Sequence, residues 1–179
     1  MPDRRAVLLS AAAFCAAAGA AAHTPYGQWV VYRQKHLMIG AHRGDGRTYA
    51  LGKAVAAALA EELPDARARV ARGPHPQRIA SLLGTGQLPV AVLGEAEALR
   101  MAEAAPPFDG YRPVPLRAVA GLPGGYALYA TSELPDDHAR LLADALDHAA
   151  TGSAPVGAIR PHPGAAAFWA DAADASGTN

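Results

Sequence analysis

The chain has 179 residues, about one domain's worth, with 16 basic against 16 acidic side chains and a formal net charge of zero. That balance excludes the one-sided basic excess that marks most nucleic-acid-binding domains, so no nucleic acid is expected as a partner. Hydrophobic residues make up 51% of the chain but aromatics only 6%, which predicts a core of Leu, Val and Ala carried mainly on helices.

Residues Met1–Ala22 read as an export segment. Arg4-Arg5 provide a basic start, Ala6–Ala22 carries no charge, and Ala20-Ala21-Ala22 supplies the small-residue end. The paired arginines followed by Ala-Val-Leu-Leu resemble a twin-arginine signal, with Asp3 where Ser or Thr is usual. The one cysteine, Cys15, lies in this run behind Phe14, where lipoprotein attachment requires a small residue. The rest of the chain therefore has no thiol for a disulfide or a metal site. An uncleaved inner-membrane anchor competes with a cleaved signal peptide. The run is marginal for a bilayer of about 30 Å, yet Tyr26, Trp29 and Tyr32 follow it and suit a membrane interface. Either reading places the remaining chain in the periplasm.

After a polar and aromatic linker, 23–36, the chain reads as strand and helix in alternation. Leu37–Gly40 is a short buried strand and Ala41–Thr48 a loop. Thr48–Leu63 is a helix with Leu51, Val55, Leu59 and Leu63 along one stripe, stopped by Pro64-Asp65. Arg67–Arg72 reads as a strand on weak alternation. Gly73-Pro74-His75-Pro76 is a turn into a helix bearing Ile79, Leu82 and Leu83 that ends at Gly84 or Gly86. Leu88–Leu93 is a strand, and Glu95–Ala104 a helix closed by Pro106-Pro107. Leu116–Leu122 and Tyr126–Thr131 are strands about a Pro123-Gly124-Gly125 turn. Asp136–Ala150 is amphipathic, Ile159–Gly164 is a proline-rich loop, Ala165–Ala173 is a short helix, and 176–179 is a tail. The expected fold for 37–175 is a single α/β domain with a mainly parallel sheet flanked by helices, preceded by an apolar N-terminal helix.

In open α/β sheets ligands sit at the carboxyl ends of strands, beside helix N-termini whose partial positive charge favours anions. Two such corners are visible, Ala41–Thr48 and Gly73–Pro76, flanked by Arg43 and Arg47 and by Arg72 and Arg78. An arginine fork matches a carboxylate, so a small anionic ligand is expected at Arg43, Asp45, Gly46, Arg47, Thr48, Tyr49, His75 and Arg78. The competing reading is ordinary solvated surface: 14 of the 16 basic residues are arginine, only Lys35 and Lys53 being lysine. Gly40–Gly46 is not a dinucleotide fingerprint, because Gly44 and Gly46 stand at the wrong offsets.

Ile39-Gly40, Gly46, Tyr49 and Gly52 resemble the opening of the TAXI-type solute receptors of TRAP transporters. Ile79–Leu83 with Gly86 and Val90-Ala91-Val92, Phe108-x-Gly110 with Leu116–Ala120, and Pro161–Ala165 with Phe168-Trp169 are similar to later segments of the same family, in the same order. The resemblance implies a periplasmic-binding-protein-like lobe, a small acidic ligand and a membrane transporter as partner. It also implies that most of a second lobe is missing, since only four residues separate Thr131 from Asp136. His42-Arg43-Gly44-Asp45 replaces the family's Gly/Thr run, Thr48 its first Tyr, Arg78 an Asn and Pro89 an acidic residue, so only Tyr49 and the glycine backbone carry over.

Other constellations are weaker. His42, His75 and His162 could converge near strand ends, but no HxH or HxxxH pair exists and no metal is expected. No serine stands in a Gly-x-Ser-x-Gly elbow, Asp136-Asp137-His138 reads as a helix cap, and Arg43-Gly44-Asp45 as an accidental adhesion tripeptide. Phe168 and Trp169 read as core or interface anchors. The expectation is a non-enzymatic extracytoplasmic binding domain without cofactor. The alternative is a membrane-anchored accessory subunit of a membrane protein complex with no ligand.

Overall fold

The structure, a computed structural model, describes residues 36–177. The proposed signal or anchor and most of the linker lie outside these residues. Among the described residues no helix is long and apolar enough to cross a membrane.

Five strands form one sheet in the order β2-β1-β3-β5-β4. They are β1 (Met38–His42), β2 (Arg69–Gly73), β3 (Val90–Gly94), β4 (Leu116–Leu122) and β5 (Tyr126–Thr131). The helices are α1 (Gly46–Glu62), α2 (Pro76–Gly84), α3 (Glu95–Glu103), α4 (Asp136–His148) and α5 (Pro163–Gly177). The α/β class is as expected, and the element order follows the sequence reading closely.

The mainly parallel sheet is not found. β1 pairs with β2 and β3 in parallel, whereas β5 pairs antiparallel with both β3 and β4, so the sheet is mixed. The cause is local. A three-residue Pro123-Gly124-Gly125 link can only return the chain alongside itself, and Gly124 and Gly125 take φ of +80° and +78°, open to glycine without strain. The returning strand then inserts between β3 and β4, setting Tyr126 opposite Gly94.

Strands send alternate side chains to opposite faces, and the core divides accordingly. Ile39, Val90, Val92, Val119 and Leu128 pack with Val55 and Leu59 of α1 and Leu142 and Leu146 of α4. Met38, Ala91, Leu93 and Leu116 pack on the other face with Ile79 and Leu83 of α2 and Met101 of α3. Each fully buried Leu, Ile or Val side chain contributes about 1.5–3 kcal/mol by leaving water.

The last helix starts earlier and runs longer than the expected Ala165–Ala173, from Pro163 to Gly177, taking in part of the expected tail. Its alanines are strong helix formers. Phe168 and Trp169 meet edge to face at 4.9 Å, and Trp169 Nε1 donates to the Val119 carbonyl at 2.9 Å, pinning the helix to β4. At the start of α5, a Cβ on Gly164 would collide with the Asp136 backbone carbonyl, so α4 and α5 meet with only a hydrogen between them.

Candidate functional site

β1 ends at His42, and the chain turns through 43–45 into α1. Thr48, fully buried, fastens the turn: its hydroxyl accepts the His42 N–H at 3.2 Å and donates to the Asp45 carbonyl at 2.7 Å. Asp45 caps α1, its Oδ1 accepting the Arg47 N–H at 2.9 Å. Its other oxygen, Oδ2, accepts the Tyr126 hydroxyl at 2.5 Å from the start of β5. That bond, with burial and the Asp45 charge, raises the Tyr126 pKa above the usual phenol value, while Arg47 opposes the shift. The Arg47 guanidinium lies 5.2 Å from the Tyr126 ring centroid and against Gly124, where a Cβ would meet Nη2 at 2.5 Å.

From the neighbouring strand, β3 passes directly into α3 at Gly94, which has no side chain to cap the helix. The Glu95 N–H donates instead to the Gly125 carbonyl at 3.1 Å, tying α3 to the hairpin turn. Glu95 Oε1 accepts the Ala158 N–H at 2.8 Å, and Glu97 Oε2 lies 3.0 Å from His42 Nε2. His42 is 3% exposed, yet its Nδ1 has no hydrogen-bond partner among the described residues. Farther down the same sheet, burial and the charge of Glu95 push the Tyr129 phenol up to about 12.

These parts enclose an open cleft of about 620 Å³ at the carboxyl ends of β1 and β3. Gly44, Gly94, Gly124 and Gly125 form much of its wall. Its charged lining is Asp45, Glu95 and Glu97 against Arg100 alone, with His42 at the base.

Of the residues expected at the site, only Asp45 lines the cleft. Arg43 is exposed and its backbone N–H donates to the Gly73 carbonyl at 3.0 Å, at the end of β2. Arg47 is exposed on the Tyr126 ring, and Gly46, the first residue of α1, is exposed with open space where a side chain would stand. Thr48 is a buried fastener. Tyr49 lies on the β2 side, with the Arg72 guanidinium 4.6 Å and the Lys53 ammonium 5.2 Å from its ring centroid. His75 caps α2, its Nδ1 accepting the Arg78 N–H at 3.3 Å, and Arg78 is exposed. The arginines thus do not converge on the cleft. Glu95, Glu97, Arg100 and Tyr126 were missed. The strand-end rule, applied at β1 and β2, points to the third strand too, and Gly94-Glu95-Ala96-Glu97 was its visible signal.

The three histidines do not converge. His42 ends β1 at the cleft, His75 caps α2, and His162 lies beside Ala118, toward the opposite end of the sheet. Among the described residues no three His, Cys, Asp or Glu side chains are placed to hold a metal ion. No protein-family model matches this chain, and no curated protein is significantly similar to it.

Proposed function

We propose that this chain is a non-enzymatic, extracytoplasmic ligand-binding domain, a lobe related to the TAXI-type receptors, whose ligand sits in the cleft at the ends of β1 and β3. The observation that carries this reading is the cleft itself. Its volume of about 620 Å³ falls within the 300–1,000 Å³ usual for small-molecule sites, and it stands where open α/β sheets bind. Glycines at four wall positions let backbone approach a ligand closely. Among its lining residues the hydroxyl is that of Tyr126, committed to Asp45, the imidazole is buried with Nε2 facing Glu97, and no Ser, Thr, Cys or Lys stands among them as a nucleophile.

A carboxylate ligand would have Arg100 to meet it, since Arg43, Arg47 and Arg78 lie elsewhere. A membrane protein partner would supply the second wall of the open cleft. The accessory-subunit reading draws on one feature: Val156 is 91% exposed on the loop whose Ala158 is held by Glu95 at the cleft rim.

Amide NMR of the full chain with a panel of organic acids, amino acids, sugars and amines tests the binding reading. Saturable shifts at Gly44, Gly94, Gly124 and Gly125, abolished by Ala96→Trp on the exposed cleft wall, are expected. A panel in which no class of compound moves these amides overturns it and favours the subunit. N-terminal sequencing of protein from its native membrane decides separately between cleaved signal and anchor.

A further inference from the structure

We infer that the cleft takes a primary ammonium group, and so selects a small organic amine rather than the acid expected from the sequence; this rests on the cleft being the binding site. Two independent observations point the same way. The first is charge: three carboxylates, Asp45, Glu95 and Glu97, face the cleft against the single guanidinium of Arg100. Alone, such a cluster is ordinary solvated surface.

The second is an unmet acceptor in the base of the cleft. Ionised Glu97 can only accept, so the hydrogen bond at 3.0 Å puts a proton on His42 Nε2. In the neutral ring Nδ1 then presents a lone pair, and it is buried without a donor among the described residues. A buried acceptor left unmet costs about 1–3 kcal/mol, a cost that a ligand donor would remove. The position of a side chain at residue 44 lies 3.1 Å from this nitrogen, so glycine there leaves no side chain standing against it.

The remaining polar side chains agree. The Tyr126 phenol donates its O–H to Asp45, leaving its oxygen free only to accept, and Glu95 Oε2 and Glu97 Oε1 make no hydrogen bond among the described residues that would compete with a ligand. Apart from Arg100, the cleft's side chains offer only acceptors. An ammonium brings three N–H donors and a compact positive charge to such a lining, whereas a dicarboxylate would bring acceptors to acceptors.

Titrating the full chain with 1,4-diaminobutane, tetramethylammonium and succinate, read by the cleft glycine amides, tests this. The diamine is expected to bind saturably, with tetramethylammonium and succinate at least tenfold weaker. Glu97→Gln and Asp45→Asn, which keep an oxygen for His42 and for the helix cap, should each weaken the diamine tenfold or more while circular dichroism stays unchanged. Succinate binding with a silent diamine overturns the ammonium assignment and leaves the cleft as a site. Equal binding of tetramethylammonium overturns the role of the acceptors. Silence from all three overturns the assignment, and silence across the wider panel overturns the site itself.

Discussion

Among the described residues two histidines are buried, toward opposite ends of one sheet, and they differ in what surrounds them. His42, 3% exposed, stands under the cleft with Nε2 3.0 Å from Glu97, a carboxylate that is itself mostly buried at 15% side-chain exposure. His162, 1% exposed, lies where β4 meets the start of α5, with neither ring nitrogen hydrogen-bonded among the described residues. Its nearest carboxylate, Asp136 Oδ1, is 3.6 Å from Nδ1 and 67% exposed. The difference separates a histidine held by a polar network at an opening from one enclosed by packing. Residue type and burial alone would have made them equals.

The largest expected effect is at the enclosed end. Gly164→Ala places a methyl on the Asp136 carbonyl, and backbone cannot retreat as a flexible side chain can. The loss should exceed about 3 kcal/mol in denaturant titration. A loss below about 1 kcal/mol would show that this end yields, and the contrast with the cleft would weaken.

Tyr129, paired across from Ala118 and 3% exposed, extends the test to alkali. Its phenol is raised to about 12 from 10.0, chiefly by burial. A raised folded pKa means that the contribution is fully present below pH 10 and is lost as pH climbs through 12. The loss is on the order of 3 kcal/mol, at about 1.4 kcal/mol per pKa unit. Stability measured from pH 9 to 12 should fall less steeply in Tyr129→Phe than in the parent.

The histidines themselves come next. Replacing His162 by Leu removes two unmet polar atoms and should be neutral or stabilising. Replacing His42 by Leu deprives a mostly buried Glu97 of its partner and should cost about 1–2 kcal/mol. Equal losses by chemical denaturation would erase the distinction between the two sites.

Much of this arrangement was legible. Leu116–Leu122 and Tyr126–Thr131 are strands at the expected residues, because a Pro-Gly-Gly turn between two apolar runs is a local signal. The corner at 41–48 was legible as a corner, since its glycines and the helix stripe after it are neighbours in sequence. The mixed sheet was not, because the insertion of β5 beside β3 is decided by packing between strands over thirty residues apart. Side-chain direction at the corner escaped for the same reason. Asp45 is drawn to the cleft by Tyr126 and Arg47 is set on the Gly124 turn, both partners 77 or more residues away. A rule that counts arginines near a helix start cannot see which way they turn.

The smallest effect tests whether the cleft rim is held by a polar network or only by packing. Tyr126 and Asp45 join the hairpin turn to the start of α1 at a partly exposed position, where a hydrogen bond to a charged group is worth about 1 kcal/mol net of water. Tyr126→Phe keeps the ring under the Arg47 guanidinium and removes only the hydroxyl. Asp45 still caps α1 through Oδ1, so the helix stays. A loss of about 1 kcal/mol, with faster amide exchange at Gly124 and Gly125 and none added at Gly164, is therefore expected. If exchange quickens equally at both ends, the rim is not a separate polar network, and partnership does not set His42 apart from His162.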